Sequence, residues 1–374
     1  MHILMLPSWY PTAEDPVNGS FFREQAEALA AFGHKVSVVA LYQDGTDGVR
    51  VEAERRGGLT EYRLHYKRLP LHLTFPRLMG VIVGLFRREF KDDMPDVTHV
   101  HVYQRLPYAM AIRRLYHIPY VVTEHVTWFE RGIVSQRSLK KARAGFRAAD
   151  AVIAVSPGLR ETIRPLCGGR EIAVVPNLVS PRFFEGALHA PRGKSFGFIS
   201  IGTLEPKKGM DVLLRAFAAV HALIPDAVLT VCGSGPDADA LARQARELGI
   251  DDCVTFTGRI SREEVAARLR ENQCFVLPSR AETFGVVFIE AMACGLPIVM
   301  TKTSAWELLA LPETGLAVEI DDEQALTESM AYIAENYDRY DPETIRRSCY
   351  GRFSERAVAR ELTEIYQKVL AKRR

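Results

Sequence analysis

The sequence predicts an α/β protein built from two consecutive doubly wound, Rossmann-like domains. Three observations lead there. A chain of 374 residues is long enough for two domains. Short apolar runs of strand length alternate with amphipathic runs of helix length from His2 to Asn177, and the alternation restarts at Phe196. That is the pattern of a largely parallel sheet wrapped by helices, met twice. Between the two series, the stretch 184–195 carries Gly186, Pro191 and Gly193 and reads as a linker. We therefore expect domains at 1–187 and 195–350, with a closing amphipathic helix over 353–374.

The first series starts with a strand at 2–6, then a loop over 7–19 bearing Pro7, Pro11, Pro16 and Gly19. Ser20 is the expected N-cap of a helix over 21–32, closed by Gly33. A strand follows at 35–39. The polar, Gly-rich stretch 41–59 reads as a connection, and 62–66 alternates like a strand. The apolar run 77–90 ends in Arg87, Arg88 and Lys91, where cations suit a helix C-terminus. It fits either a core-packing helix or a helix lying on a membrane surface. The strand 97–101 places His99 and His101 on one face. Their spacing suits a metal, but no third ligand stands nearby. A strand at 120–125 brings Glu124 and His125 to its C-terminal edge, where open α/β sheets bind ligands. The run 135–148 carries Arg137, Lys140, Lys141, Arg143 and Arg147 and reads as a solvated helix face. Strands at 150–156 and 172–177 complete the series.

The second series reads strand 196–202, loop 203–209, helix 210–222, strand 227–232, then Gly233-Ser-Gly235 as a tight strand-to-helix turn. A strand at 253–258 and another at 274–277 follow. The next stretch is the most informative of the chain: Glu282-Thr-Phe-Gly-Val-Val-Phe-Ile-Glu290-Ala-Met-Ala-Cys-Gly-Leu-Pro297. Gly285 opens a helix, and Gly295 with Pro297 closes it. One carboxylate, Glu282, precedes the helix and the other, Glu290, lies inside it. The free N–H groups at such a helix start make an anion site. An anion flanked by hydroxyl-rich groups, such as a nucleotide-sugar, suits two carboxylates placed this way. An ordinary solvated Glu pair is the alternative that spacing leaves open.

Bulk properties exclude some classes. Hydrophobic residues make up 47% and charged residues 25% of the chain, ordinary for a globular protein. No apolar run approaches the roughly 18–20 residues that span a bilayer. The start lacks a basic n-region and a cleavage site. The 6 cysteines show no C-x-x-C pair, and Cys232, Cys274 and Cys294 fall in apolar runs, so buried reduced thiols are expected. Together these suggest a cytoplasmic protein. Residues 1–190 carry 25 Lys and Arg against 19 Asp and Glu, and the remainder 23 against 27. A basic first half suits an anionic acceptor or an anionic membrane surface, or is scattered surface charge.

The Glu282–Pro297 string strongly resembles the signature of the GT4 family of retaining glycosyltransferases, which have the GT-B fold of two facing Rossmann-like domains. Other segments resemble the family in the same order: Asn18-Gly19 its N-terminal glycine loop, Asp96-Val-Thr-His-Val-His101 its Asp-x-x-His-x-His strand, Val175-Pro-Asn177 the turn into its linker, and Cys253–Ile260 the strand and loop that cup the nucleobase. The resemblance implies donor contacts at Gly19, Gly258, Arg259, Ile260, Thr283, Phe284, Gly285, Val286 and Glu290, with Glu290 on the ribose. It implies catalytic roles for Lys208 on the phosphate, Glu282 on the sugar and His125 against sugar and acceptor. It also implies that the last helix crosses back to the N-terminal domain. One position departs from the pattern. Where the family has Gly-Arg-Leu before Lys-Gly, this chain has Gly202-Thr203-Leu204 before Lys208-Gly209. A threonine hydroxyl cannot replace a bidentate guanidinium, and Lys207 or Arg280 could supply the missing charge.

The expected activity is transfer of a hexosyl group from a nucleotide-sugar, uridine before guanosine as the base, to a hydroxyl of a glycan, glycolipid or lipid-linked acceptor, as in polysaccharide biosynthesis. No metal and no cofactor are expected, and no nucleic acid. No Asp-x-Asp stands at a strand edge; Asp251-Asp252 and Asp321-Asp322 read as loop or helix-start pairs. A sugar-nucleotide 2-epimerase of the same fold is the second reading, and needs acid/base carboxylates beyond Glu282 and Glu290. A non-catalytic binder is the third, and would fit a chain that had lost Glu282, Glu290 or Lys208.

Overall fold

The computed structural model describes the chain except for Ala13, Ala187, 189–192 and 373–374. Contacts divide it into two compact units. Met1–Val155, Leu159–Pro176 and Glu355–Arg374 form the first, and Ser156–Gly158 with Asn177–Ser354 form the second. The division falls between Pro176 and Asn177, upstream of the 184–195 stretch, part of which lies outside the described residues. The chain there is not loose: Val179 donates to the Phe353 carbonyl at 2.9 Å and Pro181–Phe183 forms a 3₁₀ turn.

The first unit is an eight-stranded sheet. Its strands are β1 (His2–Pro7), β2 (Lys35–Gln43), β3 (Val49–Arg56), β4 (Leu59–Tyr66), β5 (Val97–His101), β6 (Tyr120–Glu124), β7 (Ala151–Ala154) and β8 (Ile172–Val174). They run in the order β3-β4-β2-β1-β5-β6-β7-β8, parallel except for β3 against β4. Its helices are α1 (Ser20–Ala31), α2 (Leu71–Arg88), α3 (Leu106–Tyr116), α4 (Gln136–Ala148) and α5 (Pro157–Ile163), the last starting at the edge of the unit.

Three expectations are corrected. The stretch 41–59 is no simple connection: β2 runs on to Gln43 and β3 forms an antiparallel hairpin with β4. β3 is an exposed edge strand of mostly charged residues, so it lacks the apolar face by which strands are read. Ser20 is not the cap of α1 but its first residue. The cap is Gly19, at φ +78°, where an added Cβ would lie 2.8 Å from Trp9 Cδ1. The helix expected at 77–90 begins earlier, at Leu71, with Pro76 tolerated near its start. It buries Leu78, Met79, Ile82, Leu85 and Phe86 on one stripe. By contrast α4 buries only Ala142, Gly145 and Phe146, and its five cations are solvated.

The second unit is a six-stranded, all-parallel sheet of β9 (Phe196–Ile201), β10 (Ala227–Cys232), β11 (Val254–Gly258), β12 (Cys274–Leu277), β13 (Ile298–Thr301) and β14 (Gly315–Val318), in the order β11-β10-β9-β12-β13-β14. Its helices are α6 (Met210–Leu223), α7 (Ala238–Glu247), α8 (Arg262–Glu271), α9 (Val286–Ala293), α10 (Trp306–Leu309), α11 (Glu323–Glu335) and α12 (Pro342–Phe353). The central strands β9, β12 and β13 are apolar on both faces, as helices on both sides require. Cys232, Cys274 and Cys294 are buried, and all 6 thiols are free. The closing helix, α13 (Glu355–Ala371), belongs by its contacts to the first unit, where His34 Nε2 lies 2.8 Å from Thr363 Oγ1.

Candidate active site

In the second sheet the strand order turns between β9 and β12. Strands β9, β10 and β11 step one way from that point and β12, β13 and β14 the other. Loops leaving the C-terminal ends of β9 and β12 must therefore diverge and open a crevice, the usual ligand position in such sheets. Most of the expected donor residues of this unit lie on the two loops that flank it.

The β9 loop carries Thr203 and Lys208. It is pinned by backbone bonds from Gly202 N to the Cys232 carbonyl and Leu204 N to the Ser234 carbonyl, both 3.0 Å. Gly209 ends it at φ +66°, and an added Cβ there would lie 2.1 Å from the Pro278 carbonyl oxygen of the β12 loop. Only glycine lets the two loops approach this closely. Across the crevice, Glu282 on the β12 loop accepts from Lys208 Nζ, with each side chain 14% exposed. Gly285 caps α9 in the left-handed region and offers no side chain to the first-turn N–H groups. The β12 loop leads straight into that turn, so the start of α9 belongs to the same side of the sheet as the crevice. Thr283 and Phe284 are buried, and Phe284 packs edge-on against Phe353 at 5.9 Å.

Neither substitute for the absent family arginine is an unengaged cation. Arg280 forms a bidentate pair with Asp211, both distances 2.8 Å, and also donates to Asp321 Oδ1 at 2.6 Å and the Pro206 carbonyl at 2.7 Å. It fastens the β9 loop to the first turn of α6. Lys207 pairs with Glu205 at 3.2 Å. The Thr203 hydroxyl is bonded to that same carboxylate and is the main reason Glu205 lies below its ordinary range. Lys208 is therefore the cation that faces Glu282 directly.

The expected base-cupping loop, 258–260, is tied to its neighbour by a 2.9 Å bond from Gly233 N to the Gly258 carbonyl. Arg259 is exposed and Ile260 half-buried. Glu290, inside α9 and 8% exposed, receives Arg262 Nη2 at 2.7 Å. Sequence reasoning overlooked Arg262. The available signal was a cation in the first turn of a helix, where the macrodipole disfavours it.

His125 lies in the first unit, and so does Gly19. His125 Nε2 sits 3.1 Å from His101 Nδ1, and Phe21 and Phe22 pack against its ring. His99 is held by Thr123 Oγ1 at 2.7 Å and by Tyr366 of α13 at 2.6 Å. Burial pushes His99 down to about 3 and His101 well below its usual range, so both are neutral. Beside them, Glu124 accepts N–H bonds from His125, Val126 and Tyr103, yet burial raises it to about 7. Sequence reasoning placed the three histidines on strand ends but did not join them. Among the described residues no group of three or more His, Cys, Asp or Glu is placed to hold a metal ion.

Comparison with known proteins bears on the family and the fold. The model of "Glycosyltransferase Family 4" matches residues 19–183, and that of "Glycosyl transferases group 1" matches residues 187–347. A glycogen synthase of Mycobacterium tuberculosis is 30% identical over 325 residues, 81% of this chain and 78% of its own length. Among solved structures, sucrose-phosphate synthase from Thermosynechococcus elongatus superposes with a TM-score of 0.79 at 22% identity, covering 100% of both chains. Anabaena HepE, solved in complex with UDP and glucose, superposes at 0.76 and 18% identity, covering 98% of this chain and 100% of its own.

Proposed function

The chain belongs to the GT4 glycosyltransferases and has their GT-B fold, and from that premise we propose that it transfers a hexosyl group from a nucleotide-sugar to an acceptor hydroxyl, with retention and without a metal ion. The observation that carries the reading is the Lys208–Glu282 pair across the switch point of the second sheet, at the mouth of α9. A diphosphate there meets one ammonium and one helix N-terminus, while a carboxylate stands ready for sugar hydroxyls.

The mechanism follows from charge. As the glycosidic bond breaks, negative charge grows on the leaving phosphate oxygen. Lys208 and the N–H groups of α9 are fixed before that happens, so they stabilise the transition state without reorganising. The acceptor attacks the same face through an oxocarbenium-like state, and the leaving phosphate takes its proton. Glu290 binds the ribose and the 258–260 loop the base. His125 of the first unit is assigned to sugar and acceptor.

UDP-sugars are the preferred donors, a choice supported by the UDP bound to Anabaena HepE. The acceptor is a glycan, glycolipid or lipid-linked sugar. Among the described residues no helix is long and apolar enough to cross a membrane. Contact with an anionic membrane face in the cytoplasm would instead use solvated cations such as those of α4. The test is incubation with a panel of radiolabelled nucleotide-sugars and a lipid and glycan extract. Labelled acceptor with the anomeric configuration kept is expected. Isomerised donor, or no turnover of any donor, would overturn the proposal.

A further inference from the structure

Arg262 ties together two parts of the second unit that are distant in sequence. It is the first residue of α8, directly after the 258–260 loop. A capping box fixes that turn: Ser261 N donates to Glu264 Oε2 at 2.7 Å and Glu264 N to Ser261 Oγ at 3.2 Å. From there the guanidinium lies over the Phe183 ring, 5.5 Å from its centroid, and donates to Glu290 Oε1 at 2.7 Å. The Arg262 side chain is 18% exposed and that of Glu290 10%.

A glutamate alone on a helix face has several rotamers and a freely turning carboxylate. A planar guanidinium, itself held by an aromatic face and a capped helix, removes that freedom. Resting on the nucleotide-sugar reading above, we propose that Arg262 is a positioning residue that sets the Glu290 carboxylate for the ribose 2′- and 3′-hydroxyls, and so makes the site selective for ribonucleotides. The same side chain couples the base loop to the ribose carboxylate, because Arg262 and Ile260 are two residues apart. Binding of the base and binding of the ribose are then one event rather than two.

A hydroxyl bonded to a charged carboxylate gives discrimination on the order of 10- to 100-fold against the analogue lacking it, provided the carboxylate is held in place. The test is calorimetry with whichever of UDP, GDP and ADP binds the wild type best, against its 2′-deoxy counterpart. Wild type should prefer the ribonucleotide by about tenfold or more. Arg262→Lys keeps the charge but loses the planar fork, and should retain the fold, bind the deoxy form nearly as before, and discriminate by less than about threefold. Arg262→Met should lose discrimination altogether, with thermal unfolding recorded alongside to show that the unit remains folded. If Arg262→Lys weakens both nucleotides equally and keeps the wild-type ratio, Arg262 serves the fold and the inference fails. A wild type that transfers sugar but does not distinguish ribose from deoxyribose overturns the inference alone. A wild type that binds none of the three diphosphates overturns both the inference and the function it rests on.

Discussion

Lys208 donates to Glu282, and the two side chains, one from each loop flanking the turn in strand order, neutralise each other across the crevice. A diphosphate entering there competes with Glu282 for the ammonium. Removing the charge of Glu282 should therefore help a free nucleotide while harming the reaction. Glu282→Gln should bind the free nucleoside diphosphate more tightly, by about 1 kcal/mol for a like charge taken from a partly screened site. Its turnover of intact donor should fall, because the sugar hydroxyls lose a charged acceptor. Calorimetry and steady-state kinetics give the two signs; weaker nucleotide binding would mean that Glu282 serves only to hold Lys208.

Lys208 should act more on the departing phosphate than on the bound donor. By analogy with loss of one preorganised donor, Lys208→Ala should cost on the order of 10²–10³ in turnover at saturating donor, roughly 3–4 kcal/mol. Because Thr203 stands where the family has arginine, and Lys207 and Arg280 are engaged with Glu205, Asp211 and Asp321, Lys208 should carry more of the charge. Thr203→Arg should then partly rescue Lys208→Ala in a double-mutant cycle. An effect confined to KM would assign Lys208 to uniform binding.

Activity should persist in excess chelator. The crevice offers an ammonium and a helix N-terminus to the leaving phosphate, and no described cluster of His, Cys, Asp and Glu is placed to hold a metal. The check is initial rates with and without EDTA; complete loss that Mg²⁺ restores would show that the diphosphate is neutralised by a metal brought with it.

Glu124 makes stability depend on pH in a definite direction. Burial raises its carboxyl from 4.5 to about 7 in the fold, so the folded chain holds a proton that the unfolded chain has released over that interval. Its contribution is full below 4.5 and is lost as pH rises to about 7. Glu124→Gln has no such proton. The stability of wild type relative to this variant should therefore fall by about 3 kcal/mol between pH 4.5 and 7.5. Any constant offset, such as an amide facing Tyr103 N–H, cancels from that difference. Denaturant midpoints at several pH values measure it. A flat difference would mean that the three N–H donors keep the carboxylate charged inside the fold.

What could be read from the chain was whatever is written locally. Gly285, Gly295 and Pro297 bound a helix whose ends they cause, and β12 was found at its actual limits because it is a continuous apolar run before a turn. Lys208 and Glu282 were singled out by motif, 74 residues apart, but nothing local says that they touch. β3 escaped because an exposed edge strand has no buried face to impose a pattern. Arg262, the Arg280–Asp211 pair and the His101–His125 bond escaped for another reason. Each is a product of strand order, which places remote loops side by side, and strand order is not encoded in any one window of sequence.

Gly209 and Gly249 separate two reasons for a glycine, and the pair supplies a controlled test. Their φ angles are +66° and +67°, so an alanine at either pays the same left-handed penalty, about 1 kcal/mol. Around Gly249 nothing lies within 4 Å of the added Cβ, whereas at Gly209 it meets the Pro278 carbonyl oxygen at 2.1 Å. That oxygen is backbone at the end of β12, a fully buried strand, and cannot swing aside as a side-chain tip would. The β9 loop must move instead, and with it Lys208, the residue immediately before Gly209. Gly249→Ala should therefore lower the melting temperature slightly and leave turnover unchanged. Gly209→Ala should cost about 1–3 kcal/mol more in stability, the range of strain from overpacking. It should also lower turnover, because the Lys208–Glu282 contact is the first to open. Calorimetric unfolding and steady-state rates on the two variants, measured together, decide it. Equal effects at both positions would mean that φ alone accounts for Gly209 and that the close approach of the two loops carries no functional weight.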